Sequence, residues 1–401
     1  MRTFLSYPLS VRLLLVNQFG VNTGFYLLIP YLAGYLGGEL GMSAAVVGVV
    51  LGVRTLSQQG LFLLGGSASD RLGPRRVIIA GCALRALGFG LFAAGESVAV
   101  LLAAAVLSGL AGALFNPAVR AYLAVEATES RRAEAFALFG VFAQAGALLG
   151  PVLGGVLLWW DFRIAAVVAA AIFAALTVAQ AAVLPRRPAP VPRGTVLGDW
   201  RECLTNHRFL VFTLALTGMF ALQNQLYLVL PMQAQRATGT AASVAALFLV
   251  STVATVLGQV RITRVLARRA AKGRAIAAGL AVMGLGFLAP ALAVWWPASG
   301  PAGVLIATLL LAVGVMMAQP FVLELIPAFG RLELTGTYFG VFYLASGIVA
   351  AAGNAVIGAA MEVSAVLACL LCTGIGLGCA GGMFLLHHRG MLPARQPEAV
   401  R

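Results

Sequence analysis

The sequence predicts an all-α polytopic membrane protein, with twelve transmembrane helices in two pseudo-symmetric six-helix halves. Three observations lead there. Hydrophobic residues make up 61% of the chain and charged residues 10%, where a soluble domain has roughly 45–50% and about 25%; mean hydropathy is +0.96. Apolar runs of about 20 residues, long enough as helix to cross a ~30 Å hydrocarbon core, recur throughout the 401 positions. Stretches of the first half also reappear in the second at a nearly constant offset. A β-barrel, built from short alternating strands, is excluded because the runs are continuous and rich in Ala, Leu and Gly.

In order, the expected spans are 11–37, 43–68, 77–95, 98–119, 133–159, 164–184, 209–233, 241–266, 275–296, 303–327, 335–361 and 364–386. The first is too long for a signal-peptide core and has no small-residue cleavage site after it, so it is expected to remain as a span. Charge sets the orientation. Of 27 basic residues, only Arg163 and Arg236 fall in loops on one side. Arg54 and Arg85 lie inside spans and the other 23 cluster on the opposite side, whereas Glu39, Glu96, Asp161 and Glu362 occupy the sparse loops. By the positive-inside rule both termini are cytoplasmic, which needs an even number of spans. The net charge of +14 therefore records topology, and no nucleic-acid partner is expected.

Between the halves, residues 185–193 hold four prolines and three arginines. This divides the chain into a first half at 1–184, a cytoplasmic linker at 185–208, and a second half at 209–401 ending in a short cytoplasmic tail. FYLLIPY at 25–31 returns as LYLVLPM at 226–232, FGVF at 139–142 returns at 339–342, and Asn116-Pro117 returns as Gln319-Pro320. Parallel halves are the plan of one class of secondary transporter, in which substrate binds near the midplane and one half rocks against the other.

Two motifs carry a resemblance. GSASDRLGPRR at 66–76 resembles the loop-2/3 motif of the major facilitator superfamily, G-x-x-x-D-R-x-G followed by basic residues, with Pro74 where a basic residue is common. GALLGPVLGG at 146–155 is similar to the G-x-x-x-G-P-x-x-G-G motif of that superfamily's drug:proton antiporter branch. Glycines four apart permit close helix approach, and Pro151 removes a backbone donor and bends its helix. The equivalent place in the second half has Ala350-Ala351 and Asn354-Ala355, so the repeat itself does not require the motif. Residues 52–60 and 107–117 look closest to bacterial multidrug transporters. The branch's span-4 arginine is absent, Ala105 standing in its place.

The resemblance implies a major facilitator fold and a proton-coupled exporter of small amphipathic compounds working by alternating access; the alternative is a uniporter or symporter of a sugar or organic acid. It also implies that Gly66, Asp70, Arg71, Gly73, Arg75 and Arg76 form a gate. Asp70 would face the positive N-terminal end of span 11 near Thr335, and one of the loop arginines would pair with Glu126. Gly146, Gly150, Pro151, Gly154 and Gly155 would form the antiporter motif. Spans 1, 4, 7 and 10 line the cavity in this family, which points to Asn22, Tyr26, Gln223, Asn224 and Tyr227, with Phe115, Met316, Met317 and Tyr343 adding a deformable apolar wall.

Ionisable groups inside the membrane are costly and functional by default. Arg54 lies sixteen residues before Asp70, about 24 Å up the helix, with Gln58 on the same face. The pair holds a polar or anionic group of the substrate or shifts with proton binding; otherwise Arg54 is capped by backbone carbonyls. Arg85, in a span peripheral in this family, is expected as a structural contact with span 2. Glu324 is the one carboxylate within a span away from its ends, and either couples to protons, with Arg54, or forms a salt bridge with a loop arginine. The only lysine, Lys272, precedes Gly273, so no G-K-[ST] phosphate loop exists and ATP is excluded as driver. Cys369 and Cys372 sit in an apolar helix without His or acid nearby, which reads as packing and not metal binding. No enzyme activity, cofactor or metal is expected; the partners are small amphipathic substrates, protons and the bilayer, with the chain acting as a monomer.

Overall fold

The computed structural model describes residues 2–185, 194–239, 242–293, 295–296 and 299–393, which are helical throughout with no strand among them. A short α1 (Arg2–Leu5) precedes α2 (Leu9–Gly34), which closes in a π-turn at Tyr35–Glu39. Then come α3 (Ala44–Gly60), α4 (Phe62–Leu72), α5 (Pro74–Ala94), α6 (Val98–Glu126), α7 (Arg132–Leu157) and α8 (Phe162–Val183). The linker contributes α9 (Val196–Thr205). The second half holds α10 (His207–Asn224), α11 (Val229–Thr238), α12 (Ala242–Arg269), α13 (Lys272–Gly286), α14 (Leu288–Leu292), α15 (Gly300–Leu325), α16 (Thr335–Val363) and α17 (Ala365–His388). Among the described residues, eleven helices are long and apolar enough to cross a membrane, and twelve when α3 and α4, bent by 46° at Leu61, count as one span.

The helix starts follow capping chemistry. Ser43, Ser97, Asp161 and Ser364 each accept a hydrogen bond from a first-turn backbone N–H of α3, α6, α8 and α17, satisfying a donor that the helix itself leaves open. Span 4 runs beyond the expected position 119 to Glu126. Pro117 removes the donor that would meet the Ala113 carbonyl, yet the helix continues through it. Span 7 is interrupted between Asn224 and Val229, although its partner in the repeat, α2, runs unbroken past Pro30. Competition for backbone carbonyls is the local cause: Asn224 Nδ2 donates to the Phe220 carbonyl and Gln225 Nε2 to that of Ala221.

The chain forms two compact units, and the division departs from the expected 1–184 and 209–401. The first unit comprises residues 1–128, 138–203 and 330–344; the second comprises 129–137, 204–329 and 345–401. The two exchanged segments, at the starts of α7 and α16, occupy equivalent places in the 200-residue repeat. Within the linker, α9 groups with the first unit as far as Cys203, while most of the Pro/Arg-rich stretch, 186–193, lies outside the described residues, as does the tail at 394–401.

Each unit is built to one packing plan. In the first, α5 packs on α6 and α8, α3 on α6, and α2 on α8; in the second, α13 packs on α15 and α17, α12 on α15, and α10 on α17. These pairs correspond one to one through the repeat, as duplicated apolar faces require.

Candidate functional site

The 66–76 loop is built around Gly73, whose φ of 84° lies in the region open to glycine and strained for other residues. Pro74 then starts α5 with its φ already set for a helix. This turn leaves Asp70 in the last turn of α4, buried to 7% exposure. Its carboxylate accepts three hydrogen bonds, from Gly336 N–H at 2.6 Å, Thr337 N–H at 2.7 Å and Thr337 Oγ1 at 2.6 Å. Those backbone donors belong to the first turn of α16, where N–H groups have no partner within the helix and the macrodipole favours an anion. Gly66 makes the approach possible, because a Cβ there would run into the Gly336 carbonyl.

The loop arginines turn elsewhere. Arg71 Nη2 meets Asp199 Oδ2 at 2.5 Å and the Gly194 carbonyl at 2.7 Å. Arg75 donates to the carbonyls of Ala181 and Leu184 at 2.6 and 2.7 Å, which are open acceptors at the C-terminal end of α8. Arg76 is exposed, and Glu126 accepts from Ser10 Oγ at 2.7 Å. The expected pairing with Glu126 is thus replaced for Arg71 and Arg75, because α9 and the end of α8 offer nearer acceptors.

The linker helix braces this end of the unit. Trp200 Nε1 donates to Ser67 Oγ at 2.6 Å, and Ser67 Oγ lies 3.4 Å from Thr337 Oγ1. Glu202 takes two hydrogen bonds from Arg331, at 3.1 and 2.6 Å. Both ends of the Asp70 contact are therefore tied to one short helix.

The GALLGPVLGG stretch lies in α7 against α2. A Cβ at Gly146, Gly150 or Gly154 would collide with the backbone carbonyls of Phe19, Thr23 and Leu27, respectively, one turn of α2 apart. Tyr31 donates its hydroxyl proton to the Pro151 carbonyl at 2.6 Å, and Gly155 lies under the same hydroxyl. The motif is a seam of direct helix-on-helix backbone contact.

Inside the first unit the structure brings together Asn22, Tyr26, Arg54, Gln58 and Phe115. Arg54 Nη1 donates to Gln58 Oε1 at 3.3 Å, and its guanidinium lies 5.3 Å from the Phe25 ring centroid. Tyr26 stacks edge-on against Phe25, and Asn22 bridges Gln18 and the Ala143 carbonyl. Phe115 faces Arg85, its ring centroid 5.8 Å from that guanidinium. Tyr343 stands apart from this group. It is buried under the guanidinium of Arg120, 4.6 Å away, and against Phe62. In the second unit Gln223, Asn224 and Tyr227 gather at the break between α10 and α11, with Tyr227 exposed and packed on Phe248. Glu324, 5% exposed, pairs with Lys272 Nζ at 2.8 Å; the salt-bridge alternative is the geometry observed, with lysine in place of arginine.

The Major Facilitator Superfamily profile matches residues 14–354 of the chain. The chain belongs to the major facilitator superfamily. An uncharacterized MFS-type transporter of Mycobacterium tuberculosis is 44% identical over 362 residues, spanning 88% of this chain and 85% of that protein. Multidrug resistance protein MdtH of Klebsiella pneumoniae is 32% identical over 275 residues, spanning 69% and 68%. The crystal structure of the Escherichia coli fucose:proton symporter FucP superposes with a TM-score of 0.76 at 17% identity, covering 94% of this chain and 99% of that one, which is a likeness of fold. This is a multi-pass membrane transporter, and the motifs at 66–76 and 146–155 are read in that setting.

Sequence reasoning missed several residues of this major facilitator chain: Asp199, Trp200 and Glu202 in the linker, and Lys272 as partner of Glu324. The linker had a visible signal in two acids within an otherwise basic region, but spacing alone does not say what they face. Cys203, on the same helix, is fully buried. Burial pushes its thiol up to about 12, with the carboxylates of Asp70 and Glu202 adding to the effect. At pH 7.5 the reactive thiolate is then scarce. In a variant whose other four cysteines are alanine, maleimide labelling of Cys203 is expected to be slow, and Trp200→Ala should speed it about tenfold or more by loosening α9. Equal rates in the two proteins would show that Trp200 does not hold the linker helix down.

Proposed function

We propose that this transporter is a proton-coupled exporter of amphipathic, drug-like compounds, working as a single copy in a bacterial cytoplasmic membrane with both termini and the basic loops on the cytoplasmic side. The observation that carries the reading is the seam of Gly146, Gly150 and Gly154 on the α2 backbone, because it belongs to the motif resembling the drug:proton antiporter branch. The similarity to a multidrug resistance protein points the same way. In this reading the polar groups of α2, α3, α10 and α11 meet the substrate: Asn22, Tyr26, Arg54, Gln58, Gln223, Asn224 and Tyr227. Asp70 on the first turn of α16 acts as the cytoplasmic latch, and releasing it frees α16 to move. Tyr343 and Phe115 are wall residues.

Glu324 is the proposed proton-exchange group. A carboxylate that is buried and ion-paired in one state can take up a proton when its cation moves away, so pairing with Lys272 and proton carriage are two states of one switch. Vesicles containing the protein and preset to an acidic interior test this. Proton exit should drive entry of a fluorescent dye, and collapse of the gradient should abolish that entry; entry unaffected by collapse refutes proton coupling. Glu324→Gln should reduce gradient-driven entry to the collapsed-gradient level while dye exchange without a gradient persists. A variant that still responds to the gradient like wild type rules Glu324 out as the coupling group.

A further inference from the structure

Arg85 lies in the middle of α5, 5% exposed, and makes no hydrogen bond and no ion pair with any described residue. Three aromatic rings surround its guanidinium, with centroids at 5.7 Å for Phe25, 5.8 Å for Phe115 and 5.5 Å for Phe173. Ring faces offset part of the cost of desolvating a cation, by up to about 2 kcal/mol each, but they do not satisfy its five N–H donors. Its Nε is buried without a partner, and a buried unmet donor costs about 1–3 kcal/mol.

Arg85 is linked to Arg54 by geometry. Both guanidinium groups face the same Phe25 ring, at 5.3 and 5.7 Å. A Cβ added at Gly112 of α6 would meet Gln58 Cδ at 2.9 Å and Arg85 Nη2 at 3.0 Å, so the missing side chain makes room for both. Gln58 in turn accepts from Arg54. Two cations and an amide thus converge from α3 and α5 on one bare patch of α6. Neither arginine has a carboxylate partner among the described residues, and the acids of the first 184 positions, Glu39, Asp70, Glu96, Glu126, Glu129, Glu134 and Asp161, all lie toward the ends of the spans or in loops. Ser108 Oγ, on the neighbouring turn of α6, is also buried and unpartnered.

We propose that Arg85 and Arg54 form a monoanion site, and that the anion it takes is the carboxylate of an amphipathic substrate. A planar guanidinium matches a carboxylate with two parallel hydrogen bonds, and the phenyl rings that flank it suit the apolar body attached to such a group better than they suit a hydrated inorganic ion. Arg54, half-buried, is the outer contact, and Arg85 is the inner one. The assignment rests on the transporter reading above and refines it by naming the chemical class that the first unit selects.

The test uses the purified full-length protein in detergent with no gradient, so that its outcome is independent of proton coupling. Binding of phenylbutyrate and of its neutral analogue phenylbutanol is compared by isothermal titration calorimetry in a low-salt buffer, with and without added chloride. The carboxylate should bind about tenfold or more tightly than the alcohol, the difference expected for charge-assisted hydrogen bonds. Arg85→Met should erase that preference while leaving alcohol binding within about threefold of wild type, and Arg85→Lys should retain part of it. If Arg85→Met does not fold, the same comparison is read on Arg54→Gln, at a half-exposed position, where the preference should fall. Equal binding of acid and alcohol in wild type, or a preference that survives both Arg85→Met and Arg54→Gln, overturns the proposal. Chloride that displaces the carboxylate and stabilises the protein against heat as well as the carboxylate does would make this a halide site and overturn the substrate assignment. Failure of the gradient experiment with the present result intact would remove proton coupling and leave the anion site standing.

Discussion

Asp70→Asn is expected to lower dye transport in vesicles at least tenfold, roughly, while dye affinity in detergent stays within about twofold of wild type. The carboxylate accepts from two backbone N–H groups and one hydroxyl of α16 at 2.6–2.7 Å. Hydrogen bonds to a charged group are worth about 1.5–3 kcal/mol each. An amide keeps one acceptor oxygen and places an NH2 group against a donor, so one bond is lost and a repulsive contact takes its place. The attraction of an anion for the N-terminal end of a helix is lost as well. Binding should survive because Asp70, in the last turn of α4, lies sixteen residues and a 46° bend away from Arg54 in α3, outside the polar groups assigned to substrate. Thr337→Val removes only the hydroxyl and should have a smaller effect on transport. A large loss of affinity in Asp70→Asn, or normal transport, would overturn the assignment of Asp70 as a latch.

Gly146→Leu should be more damaging to the protein itself. The new Cβ would collide with the Phe19 carbonyl and lie 3.0 Å from both Asn22 Cβ and Thr23 N, so the obstacle is helix backbone and not the movable end of a side chain. Overpacking costs typically 1–3 kcal/mol even where side chains can adjust, and here α7 must move away from α2. The seam would then open along Gly150 and Gly154 too, since they stack on successive turns of the same helix. The expected result is a melting midpoint in detergent lowered by several degrees and loss of transport. Gly155→Ala is the control, because a Cβ there meets only the Tyr31 hydroxyl, at 3.3 Å, and that group can give way. If Gly146→Leu melts and transports like wild type, the seam is not a tight contact in the membrane.

Membrane insertion, span count and duplication were legible because each depends on averages over twenty or more residues. The motif at 66–76 was legible for another reason: a glycine at φ 84°, a proline starting a helix, and a carboxylate capping one are local needs that only certain residue types meet. That Asp70 faces the start of span 11 was implied by the resemblance of this motif. Partners of long, charged side chains were not legible. Arg71, Arg75 and Glu126 share a region of the chain, yet Arg71 and Arg75 find Asp199 and the carbonyls at the end of α8, because a flexible arginine takes the nearest open acceptor that packing brings up.

By itself the sequence determined that this is a duplicated helical membrane transporter carrying the loop-2/3 motif and a run of closely spaced glycines in span 5. Only the tertiary structure decided that α9 belongs to the first unit, that span 7 is interrupted at Gln225 while span 1 is not, that Glu324 is paired with Lys272, and that Arg85 lies unpaired beside Arg54. The physical reason is one of range. Hydropathy, capping and glycine spacing act along the chain and are written in neighbouring residues, whereas the pairing of a buried charge depends on which distant helices close around it.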